Sequence, residues 1–224
     1  MELIRSENII KTYQDNGVPV QAVNGISLSV NEGEHVVLAG PSGSGKTTLL
    51  NLLGALDKPT HGKIYFEGEE FSSKSKKQLS EFRLNKLGFI FQAYNLIPVL
   101  SALENIEFSM MLLGIPESER HQRSIALLEE LGIAELKDKR PNEMSGGQQQ
   151  RVAVARAIVN SPKLVLADEP TANLDSKTGG HLLDLMDKMN KEKNITFIFA
   201  SHDQQVIERA KRLIIIKDGL IENE

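Results

Sequence analysis

The sequence contains no cysteine among its 224 residues. That excludes a disulfide framework, a thiolate zinc site and a cysteine nucleophile. Its five histidines are scattered without metal-ligand spacing. There is no basic excess. Lys+Arg numbers 26 against 30 Asp+Glu, a net charge of −4, and the pI is near 5.8. A dedicated nucleic-acid binder is therefore not expected. Long apolar runs are also missing. Stretches such as Leu213–Ile216 fall far short of the roughly 20 residues that cross a bilayer. Met1–Ser6 has neither a signal-peptide core nor a lipidation motif. A cytoplasmic protein is expected, with any membrane role passing through a partner. The sequence shows no repeat, low-complexity tract or Pro/Ser-rich linker. What remains is ordinary globular composition, 40% hydrophobic and 25% charged. Its length suits one domain, or one domain carrying an insertion.

Four short apolar runs read as strands buried on both faces: His35–Ala39, Leu164–Ala167, Ile195–Ala200 and Leu213–Ile216. Helical patterns lie between them. Leu182, Leu185, Met186 and Met189 mark one face of an amphipathic helix. Strands alternating with helices predict an α/β fold with a mostly parallel sheet and functional loops at the carboxyl ends of its strands. Residues 1–33 and 61–71 read as an antiparallel β layer. Their turn signals are Asp15-Asn16-Gly17, Asn31-Glu32-Gly33 and Glu67-Gly68. The core is expected at about 34–60, 86–94 and 161–224, and a helical insertion at about 95–160. Residues 74–86 hold Lys74, Lys76, Lys77, Arg83 and Lys86 against the single acid Glu81. They read as a solvated helix face, or as a contact for an acidic partner or lipid headgroups.

Gly40-Pro41-Ser42-Gly43-Ser44-Gly45-Lys46-Thr47 matches G-x-x-x-x-G-K-S/T between a strand and the helix expected over Thr47–Leu56. Glycines let backbone N–H groups point inward as an anion nest, and the helix N-terminus adds positive potential. Lys46 should reach the β- and γ-phosphates, and the Thr47 hydroxyl should ligate Mg²⁺. The apolar strand Leu164–Ala167 ends in Asp168 and Glu169. Asp168 stands where such proteins hold Mg²⁺, and Glu169 can polarise an attacking water. Ser145 and Gln148 form a capping box around Gly146 and Gly147. Glycines so early in a helix make sense where a ligand approaches the backbone. Two phosphate-binding helix starts in one chain point to a head-to-tail pair of copies.

Taken together, Gly40–Thr47, Ser145–Gln149 and Leu164–Glu169 resemble the ATP-binding-cassette (ABC) ATPases, over nearly the whole chain. The resemblance implies a P-loop (RecA-like) core. Gln92 then resembles the Q-loop glutamine, near the Mg²⁺. Asn173-Leu174-Asp175 resembles the D-loop, and His202 the switch histidine. Tyr13 resembles the aromatic that stacks on adenine, with an interfacial core aromatic as the alternative. Gly40, Ser42, Gly43, Ser44, Gly45, Lys46, Thr47 and Thr48 would hold ATP, with Ser145, Gly146, Gly147, Gln148 and Asp175 contributed across a homodimer. Thr47, Gln92 and Asp168 would serve Mg²⁺, and Glu169, His202 and Lys46 catalysis. The signature opens with Met144 where Leu is usual, and Asn173 replaces a commoner Gly or Ser.

The run Leu53-Gly54-Ala55-Leu56-Asp57-Lys58-Pro59-Thr60-His61-Gly62 resembles the lipoprotein-release and macrolide-export branch, with a cell-division ATPase as competitor. That branch implies a separate transmembrane permease subunit and a place on the cytoplasmic face of the plasma membrane. Two other classes compete. A soluble ABC ATPase of repair, ribosomal or cluster-assembly type fits the length or branch motifs poorly. A GTPase would need N-K-x-D, and Asn85-Lys86-Leu87-Gly88 lacks the Asp.

Overall fold

The computed structural model describes residues 1–15 and 18–223; Asn16 and Gly17 of the first expected turn lie outside them. The chain opens with two 14-residue strands, β1 (Glu2–Asp15) and β2 (Val18–Asn31). With β4 (His61–Phe66) and β5 (Glu69–Glu70) they make an antiparallel sheet in the order β2-β1-β4-β5. The Glu67-Gly68 hairpin takes positive φ at both residues, 51° and 80°, as a two-residue loop demands.

The second sheet has the order β10-β9-β3-β8-β7-β6. It contains β3 (His35–Ala39), β6 (Leu87–Ile90), β7 (Leu164–Asp168), β8 (Thr196–Ser201), β9 (Arg212–Lys217) and β10 (Leu220–Asn223). All neighbours are parallel except the β9/β10 hairpin at one edge. Val36, Leu38, Leu164, Leu166 and Ile198 face the antiparallel layer and α1 (Lys46–Leu53). Val37, Ala39, Val165, Ala167, Phe197 and Phe199 face the opposite side. There they join one apolar cluster with α3 (Ala102–Leu112), α4 (Glu117–Glu130), α5 (Gly146–Ile158) and α6 (Ser176–Lys193). Both faces are covered, which is why these strands carry continuous apolar runs.

Two boundaries differ from the expected ones. Helix α1 stops at Leu53 rather than Leu56. Gly54 there packs so closely that a Cβ would lie 2.7 Å from the Phe89 ring and 2.8 Å from Leu166, and Ala55 turns to φ 54°. Residues 95–101 are loop and turn, not helix; the insertion's first helix starts at the Ser101/Glu104 capping box. A further helix, α2 (Lys76–Lys86), and the short α7 (Gln204–Glu208) complete the fold. Among the described residues, no helix is long and apolar enough to cross a membrane.

Candidate nucleotide site

The sheet brings the site together through register. Ala39 pairs with Ser201, Asp168 with Ala200, and Ile90 with Ala167. The residues just beyond those carboxyl ends are Gly40, His202, Glu169 and the Phe91-Gln92 pair. A cleft of about 380 Å³ lies there, lined by Ser42–Thr48, Gln92, Glu169 and His202, with Ala22.

The phosphate loop is packed against the opposite sheet and the last hairpin. A Cβ on Gly40 would meet the Ile216 carbonyl oxygen at 2.1 Å, and one on Gly45, at φ +105°, the Ala22 carbonyl oxygen at 2.3 Å. These two glycines are thus required by backbone contact as well as by the loop's own turn. Lys46 is only 6% exposed. Its ammonium donates to the Gly40 and Pro41 carbonyls, 2.8 Å each. An ammonium has three donors, so one remains for an anion.

The Thr47 hydroxyl donates to Asp168 Oδ1 at 3.0 Å. Burial pushes the Asp168 carboxyl above its ordinary pKa. Neighbouring Glu169 adds to this, and the Thr47 hydroxyl and Lys46 oppose it. A hydroxyl beside a partly desolvated carboxylate is a set of hard oxygen donors, the kind that suits Mg²⁺.

Glu169 sits at φ 44°. Its N–H donates to the Ala200 carbonyl at 2.8 Å. Its Oε2 accepts from the Ser201 hydroxyl at 2.8 Å, and its Oε1 meets His202 Nδ1 at 2.6 Å. That leaves His202 Nε2, on a largely exposed ring, free to address a phosphate oxygen. The carboxylate is thus held from two directions at the rim of the cleft.

The remaining expected residues stand outside this lining. Tyr13 donates its hydroxyl to Asp57 Oδ2 at 2.8 Å, and Asp57 also accepts from Lys11 at 2.7 Å. Burial and the Asp57 carboxylate push the Tyr13 hydroxyl pKa up, with the nearby Thr48 side chain opposing them. The Lys11 ammonium lies over the ring, 4.8 Å from its centroid. Ser145 caps α5: its hydroxyl accepts from the Gln148 N–H at 3.4 Å, and Gln148 Oε1 accepts from the Ser145 N–H at 2.8 Å. Gly147 is explained within the chain, since a Cβ there would lie 2.5 Å from the Thr178 methyl. The Asp175 carboxylate caps α6, accepting from Lys177 and Thr178. Within one chain neither Ser145–Gln148 nor Asp175 lines the cleft.

Three supporting contacts were not legible in the sequence. Ser201 bonds Glu169. Thr171 donates to Asp203 at 2.6 Å, just before α7. Asn173, the departure in the D-loop, donates to the Gln92 carbonyl at 2.8 Å. Glu169, Asn173 and Gln92 belong to motifs read above, but their pairings do not follow from those motifs; the first needs the β7/β8 register to be known.

Residues 23–172 match the ABC transporter family. An uncharacterized ABC transporter ATP-binding protein of Thermotoga maritima is 47% identical over 99% of this chain and 93% of its own length. The macrolide export ATP-binding/permease protein MacB of Syntrophobacter fumaroxidans is 44% identical over the whole chain. This chain spans only 32% of that export protein's length. Among solved structures, the dimeric post-hydrolysis state of the ATP-binding cassette MJ0796, bound to ADP and Pi, superposes with a TM-score of 0.93. It is 40% identical, covering 99% of this chain and 97% of the other. The loop, the strand-end acids, the capped glycine pair and these likenesses agree: the chain belongs to the ABC transporter family and is an ATP-hydrolysing cassette.

Proposed function

We propose that two copies of this chain sandwich two ATP molecules with Mg²⁺ and drive a separate membrane subunit, in lipoprotein release or macrolide or peptide export. The observation that carries the reading is the cleft at the strand ends. Lys46, Thr47 beside Asp168, Glu169 beside His202, and Gln92 converge on one space next to the glycine-rich loop. Lys46 offers its third donor to the β- and γ-phosphates. Thr47, Asp168 and the Gln92 side chain would hold Mg²⁺, which when bound offsets the charge of the phosphates. Glu169 takes the proton of the attacking water. Ser201 and His202 fix its two oxygens so that this base keeps one orientation. His202 Nε2 contacts the γ-phosphate. Ser145 and the amides of Gly146 and Gly147 close over that phosphate from the partner copy, as a second helix N-terminus. Cleavage removes the anion shared by both faces, and the dimer opens.

A membrane subunit is supported by a second, apolar groove of about 510 Å³ between α2, β6, α3 and the end of α5. Leu56 and Leu112 line it. Phe108, Met111 and Leu112 form an exposed i, i+3, i+4 stripe on α3, and Val99 is 70% exposed nearby in sequence.

Glu169→Gln tests the centre. Turnover should fall about 10²–10⁴-fold, the span of a general base, and an ATP-bound dimer should accumulate on size exclusion with light scattering. Normal turnover would remove Glu169 from its role. Capture of tagged Glu169→Gln protein from native membranes tests the partner. A few-helix membrane protein with a large extracytoplasmic domain supports the branch. A dimer found only in the soluble fraction would favour a soluble ATPase instead.

A further inference from the structure

Helix α2 carries the lysine-rich stretch that the nucleotide chemistry leaves unused. Its inner stripe, Leu79, Phe82, Arg83 and Lys86, packs inward. Phe82 lies 4.8 Å from the Phe71 ring and 5.1 Å from that of Phe66, and Arg83 donates to the Ala55 carbonyl at 2.7 Å. Its neighbouring stripe, Lys77, Ser80, Glu81 and Leu84, follows i, i+3, i+4, i+7 spacing. The last three of these line the apolar groove. Lys77 therefore continues the groove wall by one turn, with Lys76 next to it.

The charges at that end are not balanced. Lys74 pairs with Glu69, and Lys86 with Glu67. Among the described residues, Lys76 and Lys77 are exposed and have no ion-pair partner, although Glu81 stands four residues beyond Lys77. Lys58 joins them: its ammonium donates to the neutral Lys74 carbonyl at 2.6 Å, just ahead of the helix cap. The first turn of α2 contains no acid. Cations there oppose the helix dipole, and the Ser75/Gln78 capping box holds the turn without a carboxylate. Lys76 and Lys77 are thus presented at a position unfavourable to their own helix, and Lys58, from the loop after α1, is held next to them by its bond to the Lys74 carbonyl.

We propose that Lys58, Lys76 and Lys77 form a contact for the anionic headgroups of the bilayer, flanking the site where the membrane subunit docks. The inference rests on the proposed reading of the groove as the face turned to the membrane. A planar array of phosphates matches three ammoniums without a fixed geometry, as lysine requires.

The test is co-sedimentation of the ATP-loaded protein with vesicles rich in phosphatidylglycerol or made only of phosphatidylcholine. The variants are Lys76→Gln/Lys77→Gln and a charge-matched control, Lys137→Gln/Lys188→Gln. Wild type and control should bind the anionic vesicles only, and more weakly at higher salt. The Lys76/Lys77 variant should bind roughly 10–30-fold more weakly with its basal ATPase unchanged. Equal binding by both variants, or no preference for anionic vesicles, overturns the proposal. So does loss of membrane-protein capture with vesicle binding intact, which would make the patch a contact for an acidic protein segment. Failure to capture any membrane protein while vesicle binding follows the lysines would count against the groove reading alone.

Discussion

Ser201 offers the narrowest test at the residue scale. Its hydroxyl is fully buried and reaches both Glu169 Oε2 and the Asp203 N–H. It orients the base without touching the phosphate, so it is a positioning residue. Ser201→Ala should lower kcat about 10–150-fold, the value of one hydrogen bond to a charged group, and leave the nucleotide Kd unchanged. Asp168 makes the opposite bargain. Burial holds its pKa above the ordinary 3.8, so the folded state retains the proton to higher pH than the unfolded chain. Stability conferred by the protonated form therefore falls as pH rises from the unfolded pKa through the folded one, and stays at the lower level above it. Asp168→Asn removes that cost. Thermal unfolding at neutral pH should rise by about 1–3 °C in nucleotide-free protein, while Mg²⁺-dependent nucleotide binding is lost. The phosphate loop was readable in advance because backbone amides need glycines in a fixed spacing. Ser201 was not, because a serine gains this role only from the register of two strands distant in sequence.

At the scale of elements, Gln150 links two motifs that the sequence keeps 20 positions apart. It is completely buried, and its amide donates to the Pro170 carbonyl at 2.8 Å. This joins the signature helix to the loop that follows Glu169. Gln150→Leu keeps most of the volume but leaves that carbonyl unpaired, so denaturant unfolding should show a loss of about 1–3 kcal/mol. Four core strands were legible as apolar runs because helices cover both faces of the sheet. β6 was harder. It is four residues long and contains Gly88, where a Cβ would lie 2.3 Å from the Ala157 carbonyl oxygen. Its glycine answers to a neighbouring helix, which no local pattern reveals. The insertion read as mostly helical opens on a loop, 95–101, for a reason equally out of local view: the buried Asn105 side chain satisfies the loop backbone, accepting from Ile97 N–H and donating to the Ile97, Leu100 and Ser101 carbonyls.

At the scale of the whole molecule, the cleft and the Ser145 helix start belong to different surfaces of one chain. If each site is completed by a second copy, two defects on different chains should complement. Lys46→Ala and Ser145→Arg proteins should each be inactive alone. Mixed, they form some dimers with one intact site and one doubly defective site, and turnover should reappear. A mixture as inactive as its components would refute the shared site.

Helix α5 is capped by Ser145 and runs thirteen residues from Gly146 to Ile158, about 20 Å at 1.5 Å per residue. Its far end carries Arg156, whose guanidinium grips the Tyr94 and Asn95 carbonyls just after Gln92 and lines the apolar groove. Along the way it is wedged between the sheet and α3. Such a rod neither compresses nor bends at low cost, so it works as a lever. A rotation of only a few degrees imposed on its glycine end by a partner's nucleotide sweeps the opposite end through an ångström or so. The groove wall would then move as a direct mechanical result of closure, with no intervening segment required to fold or unfold.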